Sequence, residues 1–167
     1  MIYTVTSPVG IDVPIKNLQN FLYRALRSAW SLTEDQVRAY PRGRRLDGQI
    51  RFFTSSDYLD SDGLMDTAYA VQFFFLESER RDFANEHFSA PVDIYFFVNL
   101  QTVKPALTTL ADEEVKQDVF SVVRQGSGNF HGFDKVELEG FNEKMNMYPY
   151  HSFKVSTNLI YRYDKTI

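Results

Sequence analysis

Cysteine is absent from the 167 residues. Disulfides, cysteine-ligated zinc, iron–sulfur clusters and thiol nucleophiles are therefore excluded together. Positive charge is short as well: 18 Lys and Arg stand against 22 Asp and Glu, for a formal charge of -4. That balance argues against a nucleic-acid coat, whose sequence-independent binding rests on neutralising phosphate. Nowhere do about 18 uninterrupted apolar residues occur, as a membrane-spanning helix would need. The opening MIYTVTSPVGIDVPIK also lacks the basic start and apolar run of a signal peptide. A soluble protein made in the cytoplasm, with no membrane partner, is the expectation.

Signatures of chemistry are equally sparse. The only histidines, His87, His131 and His151, are isolated in sequence, without the His-Glu-x-x-His spacing of a zinc hydrolase and without a serine nucleophile elbow. DYLDSDG at 57–63 invites a calcium-loop reading. Aligning Gly63 to the invariant glycine, however, puts Tyr58 at the first ligand position and Tyr69 where the bidentate Glu belongs, so Asp57, Asp60, Asp62 and Asp66 read as turn residues. QGSGNFHG at 125–132 is glycine-rich but lacks the Lys-Ser/Thr end of a phosphate loop, and reads as a turn. No catalytic residue, cofactor or metal site is expected, and the chain is not read as an enzyme.

Aromatic residues are what the chain has in quantity: 15 Phe and 10 Tyr, within an apolar fraction of 44% that is ample for one core. Ile15, Leu18, Leu22, Ala25, Leu26 and Ala29 recur at helical spacing, opposite Lys16, Gln19, Asn20, Tyr23, Arg24 and Arg27. A second helix spans 109–125, with Val115, Val119, Val122 and Val123 on one face and acids in its first turn. A short helical turn is expected at 31–35. Strands are expected at 50–54, 68–76, 92–101 and 153–163, with an extra one near 135–138. In the last long strand Phe153, Val155, Thr157, Leu159 and Tyr161 alternate with Lys154, Ser156, Asn158, Ile160 and Arg162, a half-buried pattern.

This order predicts an α+β fold, a mostly antiparallel sheet of about four to five strands with two main helices packed on one face. One domain over 1–167 is expected, with an N-terminal arm at 1–14 and long loops at 55–66, 77–91 and 127–149. If the helices cover Val92, Ile94, Phe96, Val98 and Leu100, then Phe74, Tyr95 and Phe97 lie on the reverse side with no assigned cover. Either the long loops fold over them, or they meet another subunit. RAYPRGRRLDGQIR at 38–51 is the one basic cluster, with Arg42, Arg44 and Arg45 at its centre. Such a loop suits carboxylates on a neighbouring protein. Phe74, Tyr95, Phe97, Arg42, Arg44 and Arg45 are thus the candidate interface residues.

The opening helix LQNFLYRALRSAW, the consecutive sheet strands with an elaborated loop among them, the helix ADEEVKQDVFSVVRQ and the final strand YHSFKVSTNLIYRYD together resemble the small tail terminator and tail-completion proteins of long-tailed bacteriophages and prophages. The resemblance covers most of the chain as topology. It implies a virion protein, made in the host cytoplasm, that assembles by contacts alone. Its members form rings, commonly hexameric, that cap the tail tube and join it to head-neck proteins while DNA passes through without specific recognition. Two other readings remain: a small-molecule-binding or hydrolytic α+β domain using His131 or His151, and a DNA-associated accessory protein using the Arg42 to Arg45 loop.

Overall fold

The computed structural model describes residues 1–47, 49–53, 58–60, 69–77, 81–82, 87–106, 111–126, 130–135 and 149–162. Helix α1, Asp12–Ala29, begins after a turn at Gly10, whose φ of 58° suits glycine. Pro14 is tolerated because first-turn N–H groups have no intrahelical acceptor. The helix stops where Ser31 turns left-handed and the Leu32 N–H bonds back to the Arg27 carbonyl at 2.9 Å. A 3-10 turn at Glu34–Gln36 then leads into β1, Val37–Ala39. Three short strands follow, β2 at Gly43–Leu46, β3 at Gln49–Phe53 and β4 at Tyr58–Asp60, and they form a small antiparallel sheet of their own.

The main sheet takes β1 together with β5 (Val71–Glu77), β6 (Arg81–Asp82), β7 (His87–Asn99), β8 (Phe130–Lys135) and β9 (Tyr150–Arg162). Its order is β1-β5-β7-β9-β8, with β6 paired to the outer end of β7. Only β1 against β5 runs parallel, with Val37 opposite Val71; the other ladders are antiparallel, so the fold is α+β as expected. Pro91, which has no N–H to give, sits between Val92, the last partner of β5, and Ser89, the partner of β6. β7 ends where the Asn99 side chain accepts from the Gln101 and Thr102 N–H groups, capping the short helix α2, Leu100–Val103. Helix α3, Ala111–Gly126, completes the helical layer.

Ile15, Leu18, Leu22 and Leu26 of α1 and Val115, Val119, Val122 and Val123 of α3 pack with Phe73, Phe75, Ile94, Phe96, Phe153 and Val155 in one core. Both main helices therefore cover one face of the sheet. The alternation read along β9 holds through its length: Phe153, Val155, Thr157, Leu159 and Tyr161 are buried, while Lys154, Ser156, Asn158, Ile160 and Arg162 are not.

Several boundaries differ from the sequence reading. The stretch expected as a loop at 77–91 contributes β6 and the start of β7, because His87 to Pro91 finds partners on β9 as far as Arg162. The glycine-rich segment expected as a turn enters β8 at Phe130, with an irregularity between Phe130 and Gly132 that absorbs one residue. That strand covers Phe130–Lys135 instead of starting near 135. The basic stretch 38–51 is chiefly strand rather than loop. The arm, too, is tied down: Tyr3 N–H bonds to the Ala39 carbonyl at 2.9 Å and Ala39 N–H to the Met1 carbonyl at 3.0 Å, along the free edge of β1. Gln19, expected on the wet side of its helix, is fully buried because its amide donates to the carbonyls of Tyr3 at 2.6 Å and Ala39 at 3.2 Å. The remainder of the loops expected at 55–66, 77–91 and 127–149, including Asp57, Asp62 and Asp66, lies outside the described residues.

Candidate functional site

Residues on the reverse face of the main sheet line up in rows set by register. Gln72 of β5 stands opposite Phe97 of β7, and Phe74 opposite Tyr95. Phe74, Tyr95 and Phe97 form a second core with Tyr40, Phe52 and Leu76, and Gln72 is buried as well. The rings make a continuous chain of contacts: Tyr3 stacks on Tyr40 at 5.1 Å, Tyr40 meets Phe52 tilted at 4.5 Å, Phe52 stacks on Phe74 at 5.5 Å, and Phe74 on Tyr95 at 5.1 Å and on Phe97 at 6.1 Å between centroids. Such offset contacts add to burial. Phe52 belongs to the small sheet, so part of the cover comes from the chain itself, from the basic stretch at 38–51 and its neighbouring strands. Gly43 shows how close the small sheet lies: a Cβ there would stand 2.7 Å from the Phe74 ring.

The expectation that Phe74, Tyr95 and Phe97 present an open surface to a neighbour is therefore corrected. Phe74 is wholly buried, and Tyr95 and Phe97 retain only 4% and 6% of their exposure. The physical reason is that the chain folds a strand pair of its own over this face. Polar residues take over toward β9, where Ser156 donates to Asp93 at 2.5 Å and Lys154 lies 3.8 Å from the same carboxylate.

The arginines of the basic stretch divide into different roles. Arg42, just before β2, forms ion pairs with Glu77 at the end of β5 and with Asp12 at the start of α1, the latter at 3.5 Å. Burial pushes the Asp12 carboxyl above its ordinary pKa, and the Arg42 charge opposes that. This arginine is thus a tie within the fold. Arg44 is exposed and opposite Arg51 on β3, whose other register neighbour is Asp60 on β4. Gly43 and Phe52 point inward, so by strand alternation Arg44 and Arg51 belong to the outer side of the small sheet. Arg45 follows in β2, at the register position of Ile50.

A further group was not anticipated. Arg38 of β1 shares the reverse face with Gln72, its register partner. Its guanidinium lies 3.9 Å from the centroid of the Tyr69 ring and 6.0 Å from that of Tyr3. It donates to the hydroxyls of Tyr40, at 3.2 Å, and of Tyr69. Tyr40 in turn lies 3.4 Å from Gln72 Oε1. Burial pushes the Tyr40 phenol up to about 12, although Arg38 works in the opposite sense. Strand alternation carried back from β5 would put Tyr69 on the helix side, but the strand begins only at Val71, which frees Tyr69 to reach Arg38. An unbroken aromatic and arginine-rich count was the only sequence signal for this cluster.

His151 is buried on the helix face, opposite Val98 and 5.6 Å from Phe153 by ring centroid. His131 falls at the irregularity in β8, beside residues 156 and 157 of β9. At about 3.3 Å per residue, roughly 16 Å of strand separates the two backbone positions. Among the described residues there is no group of three or more His, Cys, Asp and Glu side chains placed to hold a metal ion. Nor, among those residues, is any helix long and apolar enough to cross a membrane. No protein-family model matches the chain, and no curated protein matches it.

Proposed function

We propose that this chain is a phage virion assembly protein, a ring-forming tail terminator that caps the tail tube and joins it to the head. The observation that carries the reading is the small β2-β3-β4 sheet: a separate layer, anchored on the main sheet by stacked rings, whose outer side bears Arg44 and Arg51. An anchored arginine surface of this kind suits a partner that supplies carboxylates, and planar guanidinium forks pair with them well. The element order supports the same reading through the resemblance stated above. With the aromatic face covered, the contact residue is the exposed Arg44 in place of Phe74, Tyr95 and Phe97.

Sedimentation over a wide concentration range, with negative-stain imaging and with added tail tubes, tests this. Closed rings or tube-end caps are the expected result, lost in the Arg44→Glu variant while its unfolding midpoint stays unchanged. A protein that neither closes into rings nor binds tube ends overturns the reading. The outer arginines also favour one alternative, contact with DNA. That would appear as an affinity falling steeply with salt, whereas ring closure through a few ion pairs would weaken only modestly.

A further inference from the structure

Arg38 offers five N–H donors. Among the described residues its hydrogen bonds go to the Tyr40 and Tyr69 hydroxyls, and its Nε is buried with no acceptor among them. No acidic side chain among the described residues pairs with it. Tyr69, Tyr3 and Arg38 itself are half-buried, so the cluster is reachable at one side. The Tyr69 oxygen already accepts from Arg38; its own O–H has no acceptor among the described residues and stands as a donor beside the guanidinium. The Tyr69 ring, its centroid 3.9 Å from the guanidinium, restrains the fork, which lowers the ordering cost of a bidentate contact.

We propose that Arg38, with the Tyr69 hydroxyl beside it, is a receptor for a carboxylate, supplied in the assembled particle by an acidic side chain of a neighbouring copy of this chain. A planar carboxylate matches the fork with two parallel hydrogen bonds. A chain of net charge -4 has acidic groups in excess to supply one. Arginine and tyrosine are also the residue types that concentrate binding energy at interface centres. Only the identity of the donor rests on the assembly reading; the receptor itself does not.

The full chain, labelled at arginine side chains, is titrated by NMR with sodium acetate and with inorganic phosphate, against sodium chloride at equal ionic strength. The buried Nε–H of Arg38 is the reporter. Acetate should give a saturable shift that chloride does not. Tyr69→Phe keeps the stacked ring and should weaken acetate about three- to tenfold, the worth of one hydrogen bond; Arg38→Gln should abolish binding. Equal affinity in wild type and Tyr69→Phe, or a shift that chloride reproduces, overturns the receptor. Tighter binding of phosphate than of acetate overturns its assignment to carboxylates. Rings forming unchanged in folded Arg38→Gln would overturn the neighbouring copy as donor while leaving the titration intact, and an absence of rings in wild type would instead count against the assembly reading.

Discussion

The two faces of the main sheet are covered by different means. One is roofed by α1 and α3, whose apolar stripes come from single continuous segments at helical spacing. The other carries the aromatic row of Phe74, Tyr95 and Phe97, with Tyr40 beside it and Phe52 of the small sheet over it, a cover assembled from short strands that no local periodicity marks. An apolar sheet face without an evident helix over it is thus weak evidence for an intermolecular surface, because a few short strands bearing one or two large rings can close it from within.

The difference predicts equal dependence on both roofs, and side-chain deletion on either side of one strand tests it. Phe73 and Phe74 are neighbours in β5, point to opposite faces, and are both fully buried. Truncation to Ala should cost about 3–5 kcal/mol in each case, measured by urea unfolding. A loss at Phe74 well below that at Phe73 would mean that the second face is loosely covered. Phe97→Asp should fail to fold, since it would bury an unpaired carboxylate; a stable, soluble monomer would return Phe97 to the surface.

Two glycines sharpen the comparison at smaller cost. A Cβ on Gly43 would meet the Phe74 ring at 2.7 Å, and one on Gly126 at the end of α3 would meet Phe21 at 2.4 Å and Leu18 at 2.9 Å. Phe74 is wholly enclosed, whereas Phe21 is only partly buried and can yield. Gly43→Ala should therefore lower stability by about 1–3 kcal/mol, and Gly126→Ala by less. The reverse ranking would show that the small sheet can lift away from the face it covers.

How much was legible follows the same division. Helices, long strands and the in-out alternation of β5, β7 and β9 were readable because each is a property of one contiguous segment. Phe74, Tyr95 and Phe97 were placed correctly on the side opposite Val92, Ile94, Phe96 and Val98 for that reason. The hairpin over the second face was not readable, since its register depends on partners elsewhere and Ile50 to Thr54 showed only as an isolated strand. Of the candidate site, the arginine cluster was visible, but its division was not. Arg42 is an internal tie, Arg44 is exposed, and Arg38 is caged by tyrosines, distinctions made only by tertiary neighbours.

Gln19 shows where one-dimensional patterning fails for a physical reason. It sits on α1 yet fastens the edge of the sheet by donating to the Tyr3 and Ala39 carbonyls. Ala39 keeps another donor, the Tyr3 N–H at 2.9 Å, so a leucine of similar volume would chiefly strip the Tyr3 carbonyl. Gln19→Leu should cost about 1–3 kcal/mol, and hydrogen exchange should quicken at Tyr3 and Ala39 ahead of the rest. Unchanged exchange there would mean that the arm is held by its backbone bonds alone.

The smallest effect is expected where the two covers are joined. Asp12 begins the helix layer, and Arg42, leading into the small sheet, reaches back to it at 3.5 Å. Burial raises the Asp12 pKa from 3.8, with Arg42 pulling the other way. The folded state then holds this proton more tightly than the unfolded one. Its contribution is present below the unfolded pKa and declines as pH rises through the folded value. Asn at this position cannot titrate. The wild-type advantage over Asp12→Asn in urea midpoint should therefore be larger near about pH 3 than near about pH 7. An advantage that instead grows with pH would mean that attraction to Arg42 outweighs burial, making this ion pair a net fastening between the helix roof and the strand roof rather than a tolerated contact between them.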